Sequence, residues 1–95
     1  MPKYVNDVIA GYVLYFTSKC IVEAMHVHAS DKNMNSRDAA KIFVHENGDT
    51  TVEKQGMVSE KDMLIIRKYI KNNHEEMYKK WVAYGGKGYK KKCPE

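Results

Sequence analysis

One helical period near the end of the chain limits what it can fold into more than any other feature. Apolar residues recur at Met63, Ile66, Ile70, Met77 and Trp81, with Leu64, Ile65 and Tyr69 widening the stripe. Ser59 supplies an N-cap, and Asp62 at N3 makes a weaker relative of the capping box. Lys79 and Lys80 sit in the closing turns, where the helix dipole favours cations, and Gly85-Gly86 ends the element. The spacing predicts a helix over 60–84, about 25 residues and roughly 37 Å long. A helix of that length overruns a small sheet, so its last turns are expected to project.

Ahead of the helix the period changes from 3.6 to 2. Residues 11–17 are rich in β-branched and aromatic side chains and read as a strand. Tyr12, Leu14 and Phe16 share one face, Val13 and Tyr15 the other. A second strand covers 25–30. A third, 39–45, runs into Asn47-Gly48, a strong hairpin signal, and a fourth returns over 50–54. Lys41, Phe43 and His45 share one face of the third strand, Ile42 and Val44 the other. Alternation alone leaves the buried face and the hairpin register open. Ser30–Asp38 is polar and reads as a mobile loop. The expected fold is α+β: an antiparallel sheet of three to four strands with one long C-terminal helix on one face.

Ninety-five residues make one domain with room for one sheet-on-helix core. No apolar run approaches the roughly 20 residues of a membrane helix. The first residues lack the pattern of a signal peptide, so a cytoplasmic protein with Cys20 and Cys93 as free thiols is expected. The net charge is +4, but residues 79–95 carry six Lys and one Glu, while residues 1–78 carry ten basic and eleven acidic side chains. The basic charge therefore belongs to the end of the chain. A domain over 1–86 followed by a basic, disordered tail over 87–95, dispensable for folding, is the expected organisation.

The second strand carries the candidate chemistry. In an extended segment His26 and His28 stand on one face, with Met25, Val27 and Ala29 turned to the core. A functional pair has both rings on the solvent side of the sheet, near Lys41 or His45. Two imidazoles titrating near neutrality can act as general base and general acid on a ribose hydroxyl and its leaving oxygen. Lys41 can stabilise phosphate charge, and Tyr12 or Tyr15 can stack on a base. Glu23 is placed to favour protonation of the pair. Alternatively, His-x-His is a metal-ligand arrangement that needs a third ligand from Glu23, His45, His74 or Cys20, none of them at a diagnostic spacing. A third reading is a non-enzymatic interaction module, with Tyr78, Trp81 and Tyr84 on a projecting helix docking a partner protein. The bland alternatives are histidines bonded to their neighbours and aromatics packed in a core.

Gly11, Tyr12, Phe16, Glu23, His26, His28, Ala40, Lys41, Phe43, Ser59 and Trp81 together resemble a widespread family of short bacterial proteins of unknown function. Its members carry Glu-Pro-Pro-His-x-His at the centre, and the resemblance spans about residues 9–84. Here Ala24-Met25 replaces Pro-Pro, so the rigid entry into the histidine strand is missing. The resemblance implies a small α+β domain and association with a second small protein in a toxin–antitoxin-like module. It implies no cofactor, substrate or catalytic residue. From the residues' own chemistry, the expected site is His26, His28 and Lys41 for catalysis, with Tyr12, Glu23, His45 and Trp81 for binding. The expected partners are RNA and a cognate small protein.

Overall fold

The structure, a computed structural model, describes residues 3–17, 23–31 and 38–90. Four strands follow one another: β1 (Val13–Tyr15), β2 (His26–Ser30), β3 (Ala40–Val44) and β4 (Thr50–Lys54). They pair antiparallel in the order β1-β2-β3-β4. The helix α1 (Glu60–Ala83) closes the domain. This is the α+β arrangement that the change of period predicts. The 30–38 loop lies mostly outside the described residues.

Register decides which faces are buried. Val27 pairs with Ile42, and Leu14 with Ala29. These four, with Val44, join Met63, Ile66, Ile70, Met77 and Trp81 in one core. Each buried aliphatic side chain of this size contributes about 1.5–3 kcal/mol. His26, His28, Lys41 and Phe43 occupy the other face by alternation. The β3–β4 turn has three residues, because the His45 and Gly48 main chains close it and Gly48 takes φ 89°. That is the turn-plus-bulge form of the Asn-Gly hairpin. A further register shift at Lys41/Ile42 leaves Glu53 as an extra residue on β4.

Ser59 caps the helix, its hydroxyl accepting from the Asp62 N–H at 3.1 Å. The buried stripe is narrower than its hydropathy: Leu64 is 65% exposed and Ile65 45%. The last turns do not project. Trp81 is fully buried, edge-on to Phe16 at 5.3 Å. The segments flanking the strands extend the core beyond the sheet. Tyr4 packs on Phe16 at 4.8 Å, and its hydroxyl donates to the His26 carbonyl at 2.8 Å.

Gly85, at φ 85°, ends the helix in a Schellman turn: its N–H donates to the Val82 carbonyl, and the Gly86 N–H to that of Trp81. The chain then comes back over the end of the sheet. The Trp81 indole donates to the Lys87 carbonyl. The Met25 N–H donates to the Gly88 carbonyl at 3.0 Å, and the Lys90 N–H to the Val44 carbonyl at 2.9 Å. Tyr89 stacks on Tyr78 at 4.0 Å. Here the structure differs from the expectation of a disordered tail beginning at Lys87, because main-chain hydrogen bonds, to which lysine content is irrelevant, hold residues 87–90. Residues 91–95 of that tail lie outside the described residues.

A chain ended after Gly86 loses these bonds and the tyrosine stack. Its melting temperature is expected to fall by about 4 °C or more, the equivalent of one kcal/mol at this size. Thermal denaturation of the two lengths side by side measures it; equal midpoints would show that the returning segment contributes nothing.

Candidate functional site

β2 brings the two histidines together as its alternation requires. Their ring centroids are 5.0 Å apart, edge to face. Their environments differ. His26 is fully buried, with Phe43 at 5.6 Å and Trp81 at 5.7 Å. The expectation of two solvent-facing rings is corrected at this residue: Trp81 and Phe43 close over it. Its Nδ1 lies 2.9 Å from the Ala24 carbonyl. A carbonyl only accepts, so Nδ1 carries the proton, and among the described residues Nε2 has no hydrogen-bond partner. His28 is half-buried, directs Nδ1 at the Ala40 carbonyl at 3.2 Å, and lies 5.5 Å from the Tyr15 ring.

Lys41 faces His28 across the β2–β3 pair. Its ammonium is held by both oxygens of Glu23 at 3.2 Å and by Glu53 at 3.3 Å. The hydrogen bonds from Lys41 keep the Glu23 carboxyl below its ordinary range, against a smaller opposing effect of desolvation. Desolvation pulls the Lys41 ammonium down, but its two carboxylate partners outweigh it and leave the net shift upward. One cation between two anions gives this corner a negative balance.

The remaining expected residues are not gathered around the pair. The Tyr12 hydroxyl donates to Asp62 at 3.1 Å near the start of α1; burial, with Asp62 adding to it, raises its pKa. Trp81 belongs to the core, with its ring 5.7 Å from that of His26. His45 donates from Nδ1 to the Lys90 carbonyl at 2.7 Å and accepts at Nε2 from the Thr51 hydroxyl at 2.6 Å. Among the described residues no group of three His, Cys, Asp or Glu side chains is placed to hold a metal; Cys20 lies outside them.

A second concave region lies where the β3–β4 hairpin meets the helix. It is an open groove of about 790 Å³, lined by His45, Thr50, Thr51, Arg67, Lys68, Lys71 and Lys90 among others. The Arg67 Nε donates to the Thr50 hydroxyl at 2.7 Å, and Lys71 pairs with Asp49 at 2.8 Å. Among the described residues no carboxylate pairs with Arg67, Lys68 or Lys90. Sequence reasoning missed these residues. Arg67, Lys68 and Lys71 stand at i, i+1 and i+4, off the apolar stripe, and that spacing was the available signal.

A family model described as a domain of unknown function (DUF4160) matches residues 11–82. The chain belongs to this family. No curated protein and no solved structure matches it. The DUF4160 span contains both histidines, Lys41 and the three helix cations of the groove, while Tyr89 and Lys90 lie beyond it.

Two outcomes follow for the histidine corner. His26→Ala removes a buried ring and is expected to cost roughly 2–5 kcal/mol in urea unfolding, whereas His28→Ala, half-buried, costs under about 1 kcal/mol. Equal losses would mean that the rings share one environment. The Glu23–Lys41 pair gives a pH window. Glu23, whose pKa is lowered by folding, adds stability above its unfolded pKa that is lost as pH falls through the folded value. Lys41, whose pKa is raised, adds stability below its unfolded pKa that is lost as pH rises through the folded one. The pair therefore helps across neutral pH and fades at both extremes. With Glu23 half-exposed, a double-mutant cycle at pH 7 is expected to give under about 1 kcal/mol, and less in high salt. A coupling that grew on acidification would contradict this assignment.

Proposed function

We propose that this DUF4160 chain binds RNA, with the phosphates held in the groove between hairpin and helix, as the RNA-contacting member of a toxin–antitoxin-like pair. The observation that carries the RNA reading is the set of groove cations. Arg67, Lys68, Lys71 and Lys90 converge on one concavity in which Asp49 is the lining carboxylate. A backbone of phosphates is bound by such clusters through charge and counterion release. The pairing with a second small protein rests on the family resemblance.

Binding is favoured over cleavage by the geometry of the histidines. A general acid and a general base must both come within about 3 Å of the atoms they serve. His26 has no exposed surface, and Lys41 is already matched by two carboxylates. The interaction-module reading keeps one specific support: Leu64 and Ile65 are exposed apolar side chains on the helix, of the kind a cognate protein can cover.

Fluorescence anisotropy with a short labelled single-stranded RNA, measured over a range of salt, tests the proposal. The double variant Arg67→Gln, Lys68→Gln is expected to bind more weakly, and the slope of log affinity against log salt to fall by about 0.7 for each phosphate contact removed. Lys41→Met is expected to leave both unchanged. Absence of binding by the wild type at low salt, or an unaltered slope in the double variant, would overturn the reading.

A further inference from the structure

The phosphate groove does not end at His45. A second pocket of about 1030 Å³ opens beyond it, lined by His45, Glu46, Asn47, Tyr78, Gly88, Tyr89 and Lys90. His45 and Lys90 belong to both concavities and form the wall they share. The two sides have opposite character. One carries the helix cations. The other has a pair of stacked tyrosine rings and a carboxylate.

The polar groups of this second pocket are unequally committed. The His45 nitrogens are both spent, on the Lys90 carbonyl and on Thr51. Asn47 is also spent: its amide donates to Asp49 and its carbonyl oxygen accepts from the Asp49 N–H, each at 3.0 Å. The Glu46 carboxylate, exposed on the turn, has no hydrogen-bond or ion-pair partner among the described residues. The Tyr89 hydroxyl beside it is pushed up in pKa by burial first, then by Tyr78 and Glu75, with Glu46 the smallest contributor. The pocket thus offers two acceptor oxygens and an aromatic wall.

A carboxylate is an acceptor only, with two oxygens side by side. It matches a ligand that presents two adjacent N–H donors. Among the nucleobases, guanine does this on its Watson–Crick edge, through N1–H and the exocyclic amine. Cytosine and adenine offer one amine beside an acceptor nitrogen, and uracil one N–H between two carbonyls. Bases of single-stranded RNA are read on this edge while stacked on aromatic side chains. A carboxylate beside a phosphate site also has an orienting effect, because it repels the backbone and admits a neutral base.

We infer that the pocket between the hairpin turn and the Tyr78–Tyr89 stack takes a guanine base of single-stranded RNA whose neighbouring phosphates lie in the Arg67–Lys68–Lys71–Lys90 groove. The inference rests on the RNA reading above and adds to it a base preference and the exclusion of duplex, in which the guanine edge is already paired. Its carrying observation is the juxtaposition, across His45 and Lys90, of cations of which Arg67, Lys68 and Lys90 have no carboxylate partner among the described residues, and a carboxylate, Glu46, with no cation partner among them. The segment after the helix is part of the site, since Gly88, Tyr89 and Lys90 line the pocket.

The test compares two labelled single-stranded RNAs, an oligouridine and the same oligomer carrying one central guanine, with full-length wild type and Glu46→Gln. Glu46 makes no contact that the fold requires, so the variant is expected to fold normally, as its melting curve verifies. Wild type is expected to bind the guanine oligomer about tenfold more tightly, the discrimination usual for one bidentate base contact. Glu46→Gln is expected to lose that advantage while keeping the oligouridine affinity and its salt slope. A guanine-containing duplex is expected to compete poorly with the single strand. Equal wild-type affinity for the two oligomers, or a guanine advantage retained by Glu46→Gln, would overturn the base pocket and leave the groove standing. Failure of both oligomers to bind would overturn the groove and the pocket together.

Discussion

A single helix can cover only one face of a sheet, and most of this structure follows from that limit. Ile66 and Ile70 take the face formed by Val27, Ile42 and Val44. Because strand side chains alternate, filling that face fixes the opposite one. His26, His28, Lys41 and Phe43 are where they are because their neighbours were needed inside. The pairing of the histidines is thus a by-product of burial as much as a feature of its own. Their difference in exposure lies in their surroundings: Trp81 and Phe43 close on His26, while His28 has the Tyr15 ring at 5.5 Å and stays half-buried.

Charge is distributed on a finer scale than net totals show. The body of the chain is close to neutral by count, yet its charges are sorted. Around β3 and β4, Lys41 is bracketed by Glu23 and Glu53. Along α1, Arg67, Lys68 and Lys71 gather beside the hairpin, with Lys90 brought to them from beyond the helix. A corner that holds its own cation between two carboxylates is a structural contact. A concavity in which Arg67, Lys68 and Lys90 lack a carboxylate partner among the described residues is available to an anion from outside. This sorting moves the proposed contact with RNA from the histidine face to the hairpin groove.

Much of the fold was legible in the sequence because it depends on local periods. The spacing of Met63, Ile66, Ile70, Met77 and Trp81 predicts the buried helix face, and Asn47-Gly48 predicts the hairpin. The buried face of β3 was not legible, since Phe43 and His45 on one side compete with Ile42 and Val44 on the other; pairing of Ile42 with Val27 decides it. The burial of His26 was not legible either, because it depends on Trp81, more than fifty positions away. Residues 87–90 misled composition altogether. Glycine and lysine content reads as a solvated tail, but the bonds that hold the segment are made by its main chain. The candidate groove joins Arg67, His45 and Lys90, and only its helix portion left a trace in the spacing.

The returning segment also sets an order of events. Gly88 and Lys90 bond to Met25 and Val44, residues that precede them by more than forty positions. During vectorial synthesis the sheet and helix are present before the strap that fastens their end. Until it arrives, the main-chain groups of Met25 and Val44 and the Trp81 indole have no partner from this segment, and the pocket walled by Tyr89 does not exist. Contacts of such long sequence separation close late, after the local helix and hairpin have formed. The proposed base site is thus held by contacts of long sequence separation, whereas the groove cations Arg67, Lys68 and Lys71 come from a single helix.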